Sequence, residues 1–296
     1  LIIPPALAAS VAVVGNFVLS LGMTLQKQHI GWIGRDRPPG ARRGRDLALW
    51  LLGTCLMNVV WIFTFVALFG LSTNVVGAIT GTSVAFTAML AKLMLKEKLG
   101  KRRLAWTIAL FAAIAAAGFL GETGASGGKD LSPGSLYAFL AVPLAAGGLL
   151  WAFRSRLRGP RLAAGIAAAS GAIGGFMIFP MRAIQVSVGP ELSSVVASPY
   201  LYAYLVAGLT SFVLIQVAYK DGEMSTVAPA LYGMQVLWPA IGSPFVFGSA
   251  FSLPQAAAFL LVAVCVAAIS GARSPLELNK MDLPKIDLPR IGGDKP

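Results

Sequence analysis

The sequence predicts an all-α, polytopic membrane protein with nine transmembrane helices in two inverted repeats, four helices and then five. Three observations predict it. The first is composition: of 296 residues, 56% are hydrophobic and only 12% charged, and the mean hydropathy is +0.75. A soluble domain carries about 25% charged residues, so a water-soluble enzyme is excluded as the default. The second is the recurrence of nine apolar stretches near the ~20 residues that a bilayer core requires. The third is charge placement. Alternate loops gather twenty-one basic residues on one side, whereas the other side has Lys129 alone. Cytoplasmic loops collect Lys and Arg, which puts the N-terminus outside and the C-terminus in the cytoplasm of a cell membrane.

The spans follow in order. The first covers 3–26 and stops at a basic segment, 27–46, holding Lys27, Arg35, Arg37, Arg42, Arg43 and Arg45. Leu1 is not an initiator Met, so a short N-terminal piece is expected to be missing. No basic leader or cleavage site favours a signal peptide. The second and third spans, 47–69 and 71–95, are joined by little more than Gly70 to Ser72 and predict a tight helical hairpin. Lys96, Lys98, Lys101, Arg102 and Arg103 follow, then the fourth span, 104–120. A Gly-rich outer loop from Gly121 to Gly134 leads to the fifth, 135–153, which ends at Arg154, Arg156, Arg158 and Arg161.

The sixth span, 163–184, contains Pro180, which removes a backbone donor and kinks a helix. The loop 185–199 ends in Ser198-Pro199 and is expected to cap the outer mouth. The seventh, eighth and ninth spans are 200–219, 226–247 and 255–272. Pro229, Pro239 and Pro244 predict kinks in the eighth, where freed carbonyls can line a cavity, so it is the leading candidate for a pathway wall. The tail repeats Asp282-Leu283-Pro284-Lys285-Ile286 as Asp287-Leu288-Pro289-Arg290-Ile291, which predicts an extended strip. The domains are therefore a first repeat over 1–120, a second over 135–272 and a cytoplasmic tail over 273–296.

Internal similarity supports the repeat. Val14-Gly15-Asn16-Phe17 resembles Ile173-Gly174-Gly175-Phe176, and Gln26 and Gln185 fall at the same offset. Ser72-Thr73 opens the third span and Ser225-Thr226 the eighth, with Gly81 and Gly233 inside them. Spans one to four thus map onto six to nine with opposite orientation, as in secondary transporters whose substrate sites lie where the halves meet.

Several motifs carry a family likeness. Gly15-Asn16-Phe17 through Leu25-Gln26-Lys27, Asn74-Val75-Val76-Gly77-Ala78-Ile79 through Leu95-Lys96-Glu97-Lys98-Leu99, and Gln216-Val217-Ala218-Tyr219 with Ser225-Thr226-Val227-Ala228-Pro229 and Tyr232 are the stretches concerned. Over most of 10–272 the chain resembles the drug/metabolite transporter superfamily, built from EamA-like modules, and is most similar to its NIPA-type magnesium transporter branch. The resemblance implies membrane transport, with Mg²⁺ as one substrate. Where that alignment places an intramembrane acidic residue in the second span, this chain has Trp61. All 12 Asp and Glu fall in loops, tails or helix ends. Mg²⁺ favours carboxylates, so their absence at membrane depth weakens that substrate. Proton coupling through buried carboxylates or His has no candidate either.

The candidate pathway residues are the polar side chains inside spans: Asn16, Asn58, Asn74, Thr80, Arg182, Gln216, Tyr219, Tyr232 and Gln235. Thr82, Ser83 and Thr87 join them more weakly, because single hydroxyls usually serve as interhelical glue. The amides offer two-way hydrogen bonding. Arg182, if it faces a cavity, favours an anionic or carbonyl-bearing substrate. Lys92 is expected to reach the interface on its long stem.

No metal, cofactor or catalytic site is expected. Cys55 and Cys265 are isolated in apolar runs, and His29 stands alone in a basic loop as a solvated side chain. No phosphate-cradling loop, nucleophile elbow or carboxylate pair is present. The net charge of +12 belongs to membrane-flanking loops that attract anionic lipid, and implies no nucleic-acid binding. The sequence therefore reads as a transporter or facilitator of a small solute or ion, and as no enzyme. The alternatives are a non-transporting membrane subunit that anchors a complex and a lipid-precursor flippase. Its partners would be membrane lipids, the solute or ion, and either a second copy or a cytoplasmic protein docked on the tail.

Overall fold

The computed structural model describes residues 3–30, 43–67, 70–71, 73–98, 100–120, 133–153, 159–187, 192–247 and 252–271. The Gly-rich outer loop, most of the basic 27–46 segment, and the tail lie outside them. The described residues are helical, with no strand among them.

The helices are α1 (Pro5–His29), α2 (Arg43–Ala67), α3 (Thr73–Thr80), α4 (Thr82–Met94), α5 (Lys101–Phe119), α6 (Pro133–Ala152), α7 (Pro160–Phe176), α8 (Ile178–Ser187), α9 (Leu192–Ala197), α10 (Pro199–Asp221), α11 (Met224–Phe247) and α12 (Leu253–Gly271). Five helical stretches are long and apolar enough to cross a membrane: Pro5–His29, Gly44–Thr64, Lys101–Phe119, Arg161–Pro180 and Pro199–Asp221. Thr82–Met94, Leu136–Ala152 and Leu253–Ile269 are shorter apolar helices.

Two predicted spans are interrupted. The third breaks at Gly81, between α3 and α4, and the sixth at Met177, between α7 and α8. The first break is held from outside. Asn16 on α1 donates its amide to Ile79 O at 2.8 Å and lies 3.2 Å from Thr82 Oγ1, whose hydroxyl returns to Ile79 O at 2.7 Å. A carbonyl freed by the break thus receives two side-chain donors, as buried backbone groups require. The second break falls just before Pro180, whose ring nitrogen cannot donate to the preceding turn. By contrast, α11 runs as a single helix across Pro229 and Pro239.

Asn16→Leu should therefore lower the unfolding midpoint in detergent. An unsatisfied buried polar group costs about 1–3 kcal/mol. Asn58→Leu should leave the midpoint unchanged, since Asn58 is exposed and, among the described residues, donates to Thr54 O on its own helix.

The expected hairpin of spans two and three is joined by a short turn, with Gly70 N and Leu71 N both bonded to Ala67 O. Its helices lean on α1 instead of on each other. The region 185–199, expected as a loop, is partly helical: α8 runs to Ser187, α9 covers six residues, and Ser198 caps α10 by accepting from Tyr200 N.

Packing follows small residues. On α1 and α2, Gly22 and Gly53 face each other so closely that a Cβ on either would stand 2.7 Å from the other's carbonyl oxygen. On α7 and α10, Ser170 and Ser211 exchange hydroxyl-to-carbonyl bonds of 2.8 and 2.9 Å. A core of Met23, Val84, Leu110, Ile114, Ile166, Phe176, Leu214 and Val262 joins residues from both ends of the sequence.

Candidate functional site

The site lies where α1, α4 and α5 meet α10, α11 and α12. Across this seam α4 packs on α11, and α5 packs on α12 and α11. The shorter pieces stay local: α3 packs on α1, α5 and α4, and α8 on α10 and α7.

One end of the seam carries the charged residues and is clasped. Lys96 adopts a left-handed conformation (φ 56°), turning the chain after α4 so that Glu97 N bonds back to Ala91 O. The Glu97 carboxylate then reaches the start of α11, accepting Met224 N at 2.7 Å with one oxygen and Ser225 N at 2.8 Å with the other. A carboxylate at a helix N-terminus satisfies orphan N–H groups and complements the helix dipole. Beside it, Arg103 on α5 is buried and pairs with Glu223 at 2.7 Å and with Ser225 Oγ at 2.9 Å. Lys27, in the last turn of α1, donates to Tyr219 O on α10. Three separate contacts therefore tie the first half of the chain to the α10–α11 corner.

Farther in, an amide chain continues the seam. Gln216 Nε2 donates to Gln26 Oε1 at 2.9 Å, Gln26 Nε2 donates to Thr54 Oγ1 at 2.7 Å, and Trp50 Nε1 donates to Gln216 Oε1 at 3.1 Å. Gln26 is fully buried. This network joins α1, α2 and α10, and every amide in it is both donor and acceptor.

At the centre, Ser20, Ser83, Thr87, Tyr219 and Tyr232 are buried together. Ser20, Ser83 and Thr87 surround the Tyr232 phenol, and Tyr219 lies within electrostatic reach of it. Ser20 Oγ donates to Asn16 O at 2.8 Å, and Tyr232 Oη to Met23 Sδ at 2.9 Å. The Tyr219 hydroxyl has no hydrogen-bond partner among the described residues.

Of the sequence-predicted residues, the structure brings Gln216, Tyr219 and Tyr232 to this seam. Asn16 stands beside it as the tether of the α3–α4 break. Gln235 lies against α7, where a Cβ on Gly175 would sit 2.5 Å from its carbonyl oxygen. Thr80 bonds Val76 O on its own helix, and Asn58 points away, exposed on α2. Asn74 and Arg182 lie on α3 and α8, with their side chains outside the described residues.

Sequence reasoning missed Gln26, Trp50, Lys27, Glu97, Arg103 and Glu223 as members of the site. Gln26 and Glu97 stood in the quoted motifs, but nothing local named their partners. His29 is not a solvated loop residue: it ends α1 with Nδ1 2.9 Å from Asp46 Oδ1. Cys55 is exposed, and Cys265 is buried. Lys92 is exposed. Among the described residues, no group of three or more His, Cys, Asp or Glu could hold a metal ion.

No family model, curated protein or solved structure matches the chain.

Proposed function

We propose that this chain is a multi-pass membrane transporter or facilitator of a small solute, and that the seam between its two halves is the passage. The apolar helices support the membrane setting, and the single observation that carries the function is the buried polar seam. Within a lipid-embedded bundle, polar side chains are costly and collect where they line a pathway or pair with one another. Here they run from the clasp, through the amide chain, to the buried hydroxyls of Ser20, Ser83 and Thr87 around Tyr232.

Two features favour an inverted repeat. Exchanging α1, α2, α3–α4 and α5 with α7–α8, α10, α11 and α12 maps the main packing partners onto one another: α1 on α2 becomes α7 on α10, and α5 on α12 maps onto itself. In addition, Asn16 and its counterpart Gly175 each abut a backbone carbonyl of the third element, Ile79 O and Gln235 O respectively. Such repeats let one half rock against the other around a fixed site. With the basic end in the cytoplasm, the clasp is a cytoplasmic closure. The likeness to drug/metabolite transporters agrees with this reading.

The test is flux into proteoliposomes across Mg²⁺, amino acids, nucleosides and lipid precursors. Uptake of one of these above empty liposomes, reduced by Gln216→Leu, is expected. Absence of uptake of all four overturns transport, and a stoichiometric partner in mild detergent would then favour the anchoring-subunit reading.

A further inference from the structure

We infer that α2 carries the interface of a homodimer: its outward stripe packs on the same stripe of a second copy, and Asn58 pairs with its own counterpart across the two-fold axis. The inference needs the bilayer and is independent of what the seam conducts.

Of the five long apolar stretches, the one in α2 is the least enclosed. One side of α2 packs along α1, where Gly53 meets Gly22 and Phe63 meets Gly15. A second side reaches α10, through Trp50 to Phe212 and Gln216 and through Trp61 to Tyr204. What remains is a stripe of exposed residues: Gly44, Ala48, Leu51, Cys55, Asn58 and Ile62. At 3.6 residues per turn this stripe lies about 140° from the side facing α1 and about 110° from the side facing α10. Its steps alternate between four and three residues. That is the spacing of a left-handed helix pair, the usual crossing in membrane bundles. None of the six is charged, and the small Gly44, Ala48 and Cys55 let a partner helix approach closely.

Asn58 decides what covers the stripe. It stands 15 residues from the start of α2 at Arg43 and nine from its end at Ala67. It is therefore about 13 Å or more from either end, beneath the lipid headgroups. Its Nδ2 donates to Thr54 O at 2.8 Å, and among the described residues it makes no other hydrogen bond. A second N–H and an acceptor oxygen are left on an exposed side chain, and lipid tails offer them no partner. Two copies inserted in the same sense are related by an axis along the membrane normal. A residue near that axis meets itself, at the same depth. An amide suits this position because each Asn58 can donate to the other and accept from it. A single Asn in an otherwise apolar seam also fixes register and the number of helices. Cys55, one turn away, then stands within disulfide reach of its own counterpart.

The test uses full-length protein carrying Cys265→Ala, in liposomes dilute enough that chance encounters are rare. Copper phenanthroline should join two copies through Cys55 about ten-fold faster than through Val264→Cys, at an exposed position on α12, in a Cys55→Ser, Cys265→Ala background. Asn58→Leu should weaken association about ten-fold, counted by single-molecule photobleaching of fluorescently tagged chains, and Asn58→Gln, which keeps the amide, should retain it. Detergent competes for the stripe and separates the pair, so the unfolding midpoint of Asn58→Leu in detergent stays where it is. Crosslinking that is equal at the two positions, or faster at Val264→Cys, overturns the interface. Dimers that Asn58→Leu does not weaken overturn the pairing. Capture of a different protein by Cys55 in native membranes overturns the second copy as the occupant. Asn58→Cys, in the background without native cysteines, should resist a water-soluble maleimide in liposomes. Rapid labelling would make this face the wall of a wetted cleft and overturn the inference. Failure of the dimer leaves transport standing, since each copy holds its own seam, and absent flux leaves the dimer standing.

Discussion

Gly171→Val should abolish recovery of folded, monodisperse protein from detergent. A Cβ on Gly171 would stand 2.0 Å from Leu231 O, 2.8 Å from Leu231 C and 3.0 Å from Leu231 Cα. These are backbone atoms of α11, so no rotamer change relieves the clash and the two helices must separate. Of the five long apolar stretches, Arg161–Pro180, to which Gly171 belongs, is the most enclosed. Moving its contact face disturbs α6 and α10 as well as α11. Small residues permit such close approach in membrane bundles, where packing drives association. Gly148→Val is the control: Gly148 has open space where a Cβ would go, so that variant should purify normally. Size-exclusion profiles of the two variants, set against the wild type, check the expectation.

The second large effect concerns the clasp, and its two partners should not be equivalent. The Arg103 side chain is 5% exposed and that of Glu223 is 27% exposed. Arg103→Ala leaves Glu223 able to regain water. Glu223→Ala removes the carboxylate from a guanidinium that cannot. Breaking a buried pair costs about 3–5 kcal/mol when the survivor stays buried. We therefore expect Glu223→Ala to approach the lower end of that range and Arg103→Ala to fall well below it. Thermal unfolding in detergent gives the order directly, and Glu223→Gln, which retains an acceptor, should recover part of the loss. Equal losses for the two alanine variants would mean that burial does not set the cost.

Much of the scaffold was legible because a bilayer leaves few choices. Each apolar stretch falls on helical backbone, since backbone groups in lipid must be satisfied within the segment. The breaks were harder to read. Gly81 lies in a span that otherwise resembles a continuous helix, and its interruption depends on Asn16, 65 residues earlier. Met177 carries no helix-breaking chemistry of its own, and the cause stands three residues later at Pro180. The prolines of α11 do not interrupt that helix. At the site, amides and tyrosines within apolar runs were conspicuous, so Gln216, Tyr219 and Tyr232 could be named. Glu97, Arg103 and Glu223 could not. They sit among loop charges that normally mean membrane anchoring, and only the tertiary fold turns three such charges into a bridge between halves. Lys27 was hidden in the same way, counted with a basic loop while it reaches across to α10.

The account depends on the clasp holding two otherwise separable halves together over a polar seam. Spin labels on Lys101 and Lys220, both exposed at the basic end, would report their separation by pulsed electron resonance in lipid nanodiscs. With the clasp intact, one distance population is expected. With Glu97→Ala and Glu223→Ala combined, a second and longer population should appear while the helical content stays the same. A single unchanged distance in the doubly substituted protein would contradict the account, because the seam would then be a fixed core and not a passage.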